Sequence, residues 1–455
     1  MSLCQFHLDT FQPCIEVPVM IAHTFQDAFS AQWIKTHLPN RTHDLIILRQ
    51  IIPWQTIIDS LVPFYNTKKG RIGCSLRTLS AVSILARLRD LSDRKVIEHI
   101  QENRYMQYFC HVPDPDLMTF IEVSSLCRFR KRVGPQGMGF IENSVFTRLK
   151  QAGVIDDTMM LMDSTVLASP ILYPTDVTLL RKAFHKMALL AAKARIEPWW
   201  DQDQIKKLWR AYHLDKSKPL AYLCAFYLIF EPALETFAAH LESLPSDSIQ
   251  QQWCQLLEAL LILDEQTQLK LEGQSHIPNR LVSLDDLDAR PIQKGKRHPK
   301  TEFGTLLQMT FNRQGFIITT ENFIGKPDDK TLYGPTLELF RKRMAASPSG
   351  AITDLGYRSA KNLKLHHEDL DYVFMGQSSD VQATQQEACI SARSATEGFI
   401  AVAKTWRGFA RSLYRGLQGT QMWTVLNQCA YNLKKCLQLY RDERLSEDVL
   451  MALRL

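Results

Sequence analysis

The stretch Met159–Thr165, MMLMDST, sets an aspartate at the end of four consecutive apolar residues. Such a run reads as a buried strand. Asp163 at its end is an N-cap, a satisfied core acid or a metal ligand, and the strand alone leaves all three open.

What surrounds this strand narrows the fold. Downstream, from about Asp176 to Lys270, a long helical stretch carries LLRKAFHKMALLAAKA and the Trp-rich EPWWDQDQIKKLWRAY, whose apolar residues read as core packing. Near Arg280 the texture changes. FGTLLQMTFN and GFIITTENFIG flank Arg313-Gln314-Gly315 and predict a β-hairpin. A helix at DKTLYGPTLELFRKRMAA follows, then a short strand SGAITD ending at Asp354, a helix from about Ser359 to His366, the strand YVFMG, and a long helix from about Glu387. With residues 176–290 set aside as a large helical insertion after the first core strand, the order is strand, strand, strand, helix, strand, helix, strand, helix. The expected fold class is α/β, a mixed sheet flanked by helices in the element order of the ribonuclease H-like fold.

Upstream, residues 76–132 look helical. Leu76, Leu79, Ile84, Leu85 and Leu88 recur at helical spacing, Asp90-Leu91-Ser92-Asp93 supplies a turn and an N-cap, and a second helix runs from Asp93 to Glu102. Arg71, Arg77, Arg87, Arg89, Arg94 and Lys95 decorate this helix, turn and helix, and CRFRKR (Cys127 to Arg132) adds a basic cluster. Two readings stand: contact with DNA phosphates, or a solvated polar face on a helical bundle. The expected partition is a helical N-terminal DNA-binding domain over 1–150, a catalytic core from 151–175 and 291–440, the insertion at 176–290, and a tail at 441–455.

The chain has 455 residues, with 45% hydrophobic and 22% charged residues, as in an ordinary folded protein. Its first residues lack the basic and apolar regions of a secretory signal, and the longest apolar stretch, Leu220 to Phe230, is too short for a bilayer and reads as a buried helix. Ten cysteines without a CxxC pair argue against a zinc finger and a disulfide framework, which fits reduced thiols in a cytoplasm. The net charge of +6 is uneven: from Cys389 to Arg441 eight Lys/Arg accompany one acid, Glu397.

Phosphodiester cleavage by two divalent ions needs hard oxygen ligands converging from separate elements. Asp163 and Asp354 end two expected core strands, and Glu397 lies on the last helix. Arg393, Glu397 and Lys404 are separated by four and seven residues, so at about 3.6 residues per turn all three share a face. That pattern serves an acid on a metal with cations on flanking phosphates; an i, i+4 surface ion pair gives the same spacing. No Walker A sequence and no GxSxG occur, so ATP-driven chemistry and serine hydrolysis lack support. His366-His367 is an adjacent pair without metal spacing.

The stretches MDSTVLASPILYPTDVTLL, ARPIQKGKRHPKTEFGTLLQMTFN, ITDLGYRSAKNL and RSATEGFIAVAKTWRGFARSLYRGLQGTQMWTVLNQCAYNLKK resemble the DDE transposases of bacterial insertion sequences. LRTLSAVSILARLRDLSDRKVIEHIQENRYMQYF is similar to the helical N-terminal domain of that group, and the likeness spans most of residues 70 to 440. The resemblance implies a catalytic triad of Asp163, Asp354 and Glu397 holding two Mg²⁺ or Mn²⁺ ions. One branch of the family carries a Tyr, Arg, Glu, Lys signature on the last helix; Arg393, Glu397 and Lys404 match its spacing, whereas Ile390 stands where the tyrosine belongs. Asp176 is expected as a helix N-cap, and Gly356 and Tyr357 as shapers of the strand exit.

The activity implied is cleavage at element ends and strand transfer into target DNA, by a cytoplasmic bacterial protein that joins the nucleoid when bound to DNA. A homodimer on DNA is expected in the synaptic complex, and no membrane. The expected DNA contacts are Arg393, Lys404, Arg407, Arg411, Arg415, Lys294, Lys296, Arg297, Arg87 and Arg94, with Trp406, Tyr414 and Trp423 as stacking or core aromatics. A structure-selective nuclease, a non-catalytic DNA-binding relative and a helical scaffold are the competing classes.

Overall fold

Residues 30–112 break into short helices because a residue able to cap stands before nearly every apolar segment. Ser30, His43, Ser75, Ser92 and Asn103 each accept a backbone N–H with the side chain. They open α1 (Ala31–His37), α2 (Asp44–Ile51), α4 (Leu76–Leu88), α5 (Asp93–Glu102) and α6 (Arg104–Cys110), while α3 (Trp54–Leu61) starts behind Pro53. The expected helix, turn and helix is α4 and α5, with Ser92 as the cap. β1 (Val19–Met20) pairs in parallel with β2 (Arg71–Ile72). α7 (Val123–Gln151) is broken at Gly134, whose φ of +59° an L side chain rarely adopts, just ahead of Pro135.

The computed structural model describes residues 19–20, 29–66, 71–112, 121–156, 158–244, 247–293, 301–365, 370–377 and 381–454. The chain divides into two units, residues 1–156 with 425–455, and residues 157–424. The C-terminal residues therefore differ from the separate tail expected at 441–455: the chain from Val425 onward belongs with the N-terminal helices.

The second unit starts at β3 (Met160–Ala168), the strand of the Asp163 motif. Four helices follow: α8 (Asp176–Ala194), α9 (Gln202–Leu214), α10 (Pro219–Ala239) and α11 (Asp247–Leu271). Thr175 caps α8, not Asp176; Asp176 is the first helical residue and is ion-paired with Arg280. These helices share a core of their own, in which Trp253 stacks on Phe237 at 4.0 Å and donates its indole N–H to the Phe237 carbonyl. α10 continues well past Phe230, and Pro219–Ser243 is long and apolar enough to cross a membrane, so length does not exclude a span. Packing supplies the argument instead: Leu223, Phe226, Phe230, Leu234 and Phe237 are buried in the helical core.

β4 (Arg290–Ile292), β5 (Glu302–Phe311) and β6 (Ile317–Ile324) come next, then α12 (Asp329–Met344), β7 (Gly350–Thr353), α13 (Ala360–Lys364), β8 (Tyr372–Met375), α14 (Ala383–Trp406) and α15 (Gly416–Arg441); α16 (Glu447–Leu453) ends the chain. The predicted hairpin is β5 and β6, turning at Gly315 with φ +85°. The sheet order is β4-β5-β3-β7-β8 with β6 also on β5; β5 is antiparallel to β3, and β7 and β8 run parallel to it. This mixed sheet with helices is compatible with a ribonuclease H-like arrangement.

Candidate active site

The alternation of side chains along β3 decides what each residue can meet. Leu161, Asp163 and Thr165 pair with Phe311, Met309 and Leu307 of β5, and so share one face. α14 covers that face: Phe399 lies against Phe311 at 5.6 Å, and the Lys404 ammonium reaches Thr165 Oγ1 at 3.4 Å. The other face presents Ser164 and its partner Gln308, and there Ser164 Oγ is 3.5 Å from Asp329 Oδ1 at the start of α12.

Asp163 and Asp354 are brought to one level. Leu161 of β3 is paired with Ile352 of β7, and each aspartate stands two residues farther on, with Asp354 still extended at φ −79°, ψ 176°. Both are half-buried. Asp163 accepts the N–H of Ser164 at 2.6 Å, and Asp354 accepts that of Gly356 at 2.9 Å. Asp354 directly follows the end of β7, whereas Asp163 lies within β3 and does not end it as expected, because pairing with β5 carries the strand on to Ala168.

Glu397 is on the right element but is not gathered in. α14 advances in the same direction as β3, since Phe399 meets the Leu161 level and Lys404 the Thr165–Val166 level. Glu397 flanks the buried stripe of Thr396, Ile400 and Ala403, its side chain is 68% exposed, and Arg393 lies 3.8 Å away. Among the described residues no three His, Cys, Asp or Glu side chains converge as a metal-holding group. Glu397 thus shows the i, i+4 surface ion pair that its spacing also allowed. Ile390 is exposed on the same helix.

Below Asp354 lies a polar network that the sequence reading missed. Tyr357 donates its hydroxyl to Gln308 Oε1 at 2.8 Å. Burial, followed by the negative charges of Asp163 and Asp329, pushes the Tyr357 phenol above its ordinary pKa. Gln308 is 1% exposed, and its Nε2 has no partner among the described residues. Asp329 belongs to KPDDK, read from sequence only as a helix start; Asp328 is the cap of α12. Its neighbour Gly356 explains why a glycine follows Asp354: a Cβ there would sit 3.0 Å from Asp354 Oδ1 and 3.1 Å from Asp329 Oδ2. Asp354 Oδ1 and Asp329 Oδ2 therefore both crowd Gly356, although the described acids do not gather into a metal-holding group.

The basic residues part company. Arg87 is 3% exposed and donates to the Leu91 carbonyl at 2.5 Å, closing its own helix end, so the expected DNA contact at Arg87 is not available. Arg77 is also buried, stacked 3.2 Å from the Trp54 ring centroid and donating to the Phe109 carbonyl. Arg130 pairs with Asp93 through two hydrogen bonds, whereas Arg89, Arg94 and Lys95 are exposed. Lys404 differs from a phosphate contact as well: it donates to the Val166 carbonyl at 3.1 Å and lies 3.4 Å from Glu302. Arg407, Arg411 and Arg415 lie on the link between α14 and α15, with Arg411 and Arg415 exposed and Arg407 half-buried. Trp406 is 67% exposed, while Trp423 is buried with its indole N–H on the Gly408 carbonyl and Tyr414 against its edge. Lys294, Lys296, Arg297 and the His366-His367 pair lie outside the described residues.

Comparison with known proteins bears on the same two regions. Residues 32–132 match the family described as Transposase domain (DUF772), and residues 267–433, which hold Asp354 and Glu397, match Transposase DDE domain. Over 161 residues the chain is 31% identical to "Uncharacterized protein ORF8 in nfe locus" of Rhizobium meliloti, covering 35% of this chain and 77% of that protein. No solved structure matches. The strand bearing Asp163, the strand exit bearing Asp354, the helix bearing Glu397 and these two matched regions belong together: the chain is a member of the DDE transposase family of bacterial insertion sequences, proteins that act on DNA.

Proposed function

We propose that this transposase cuts DNA at the ends of its element and joins the freed ends to target DNA, with Asp163, Asp354 and Glu397 as the catalytic carboxylates. The observation that carries this reading is the shared level of Asp163 on β3 and Asp354 just past the end of the parallel β7, with α14 over the face of β3 that bears Asp163. The residues 151–175 and 291–440 form the ribonuclease H-like core in this reading, 176–290 its helical insertion, and 1–150 the DNA-binding helices.

The three carboxylates would hold a pair of Mg²⁺ or Mn²⁺ ions, which supply charge neutralisation at phosphorus and a more acidic attacking water. Glu397 would exchange its contact with Arg393 for this duty, leaving the guanidinium to a neighbouring phosphate. Attack by water oxygen on phosphorus breaks the P–O3′ bond and leaves a 3′-hydroxyl on the element end. That hydroxyl then attacks a target phosphorus, whose own 3′ oxygen departs. No protein nucleophile is consumed. Arg411 and Arg415 would follow the backbone beside Arg393, Arg94 would contact DNA from the N-terminal helices, and Trp406 offers an exposed face to an unstacked base. Two copies would pair the two ends in a synaptic complex, and the reaction would take place in the bacterial cytoplasm.

The test is Mg²⁺-dependent nicking and end-joining on a duplex carrying the terminal repeats, with Asp163→Ala, Asp354→Ala and Glu397→Ala as comparisons. Loss of both steps with DNA binding kept is the expected result. Normal cutting by the variants, or binding without cutting by the wild type under Mg²⁺ and Mn²⁺, sinks the reading and favours a DNA-binding relative. Cutting without joining of a labelled 3′ end identifies a nuclease instead.

A further inference from the structure

We propose that the outer face of α10 is a contact surface for a second copy of this chain, the two helices meeting antiparallel about Cys224; this rests on the two-copy part of the reading above and not on its chemistry. α10 buries only one side. Leu223, Phe226, Phe230 and Phe237 enter the core that α8 to α11 share. Leu220 is 52% and Leu228 67% exposed, and Ala221, Cys224, Glu231 and Glu235 are exposed as well. Steps of three and four residues join these exposed positions, so they form one stripe along the helix. Its first half is apolar and its second half acidic, and Lys216 and Lys218, both exposed, stand just ahead of it.

Single exposed leucines are ordinary on a monomer. This stripe differs because it is complementary to itself when reversed. Leu220 and Leu228 stand four residues before and after Cys224, so a two-fold axis at Cys224 sets Leu220 of one copy against Leu228 of the other. Glu231, seven residues after Cys224, then falls opposite Ser217, between Lys216 and Lys218. Apolar residues meet at the centre and opposite charges at both ends, whereas a parallel pairing would set Glu231 and Glu235 against their own copies. Leu261 of α11 is 53% exposed and one turn before Asp264, which accepts from the Tyr227 hydroxyl, so the apolar surface extends beyond α10. One helix pair with a few neighbours buries less than the roughly 1,200 Å² of a stable interface. The pair is therefore weak in solution and is strengthened when DNA brings two copies together.

The experiment follows the full chain without DNA, by sedimentation velocity under reducing conditions and by cross-linking with a short bis-maleimide. The wild type is expected to pass from monomer to dimer over about 1–50 μM, and to give a cross-linked dimer that Cys224→Ser no longer forms. Leu228→Glu is expected to weaken the dimer by about tenfold or more. Glu231→Lys, and Lys216→Glu together with Lys218→Glu, are each expected to weaken it several-fold, and all three changes combined to restore it, because the exchanged charges again face one another. A wild type that stays monomeric, a dimer indifferent to Leu228→Glu, or a cross-link that survives Cys224→Ser overturns the proposal. So does a monomeric wild type that sediments with phosphatidylglycerol vesicles, which would give the α10 face to lipid. If circular dichroism shows Leu228→Glu unfolded, the charge exchange decides: recovery in the combined variant supports the proposal and no recovery overturns it. None of these readouts uses cleavage, so a failure of the catalytic reading leaves them unchanged.

Discussion

The two faces of β3 use polar residues in opposite ways. On the α14 face, Asp163 is half-buried, Lys404 spans Thr165, the Val166 carbonyl and Glu302, and Glu397 and Arg393 stand at an exposed rim. On the α12 face, Ser164, Gln308, Tyr357 and Asp329 form a mostly enclosed set of hydrogen-bonding groups. An open rim of charge suits groups that must change partners during a reaction, and a closed network suits groups that hold strand ends in place. On the proposed function, the contrast puts reactivity at the α14 rim and support on the α12 face.

The largest effect that sharpens this contrast is expected from Glu397→Gln. An exposed side chain with one long ion pair contributes little to folding, so the melting temperature should hold. Element-end cleavage should fall by at least about a thousandfold, which is roughly 4 kcal/mol in the barrier. A large drop in melting temperature with cleavage preserved would reverse the assignment of the rim.

Next comes Lys404→Ala. Because Lys404 is largely enclosed and serves the Val166 carbonyl and Glu302, its removal is expected to destabilise the chain by about 1–3 kcal/mol. Thermal melting reads that directly, and the salt dependence of DNA binding reads the alternative. If the slope of log affinity against log salt falls by about one while melting is unchanged, Lys404 contacts a phosphate after all. Tyr357→Phe ranks third: it leaves the Gln308 amide oxygen without its donor and is expected to cost about 1–2 kcal/mol in stability. Cleavage should decline far less than in Glu397→Gln.

Much of this was legible in the sequence, because period and spacing carry it. The apolar run before Asp163 gave a strand, the Arg313-Gln314-Gly315 turn gave the hairpin, and the stretch from about Glu387 gave the helix that carries Glu397 and Lys404. What failed was the fate of individual charges. Arg77 and Arg87 recur on α4 like a basic surface, yet that helix is buried on all sides, which the uncharged run of apolar and small hydroxyl residues between them signals only in hindsight. Asp329 was hidden for the reverse reason. An acid at a helix start is so commonly a dipole partner that its approach to Asp354, 25 residues away in sequence, shows only when β7 and α12 are folded together.

The smallest expected effect tests whether the α12 face tolerates charge. Glu321 pairs with Gln308 across β5 and β6, and burial raises its carboxyl pKa above the ordinary value. A raised carboxyl pKa in the folded state means that stability is full below the unfolded pKa and is lost as pH rises through the folded one. Glu321→Gln should therefore melt higher than wild type at neutral pH, by less than about 1 kcal/mol because the site is partly solvated, and the gap should close in acid. If the variant instead melts lower at neutral pH and equal in acid, the Glu321 carboxylate is favoured in its charged form. The α12 face would then accept negative charge as the α14 face does, and a cation held between the two faces would be the physical reason.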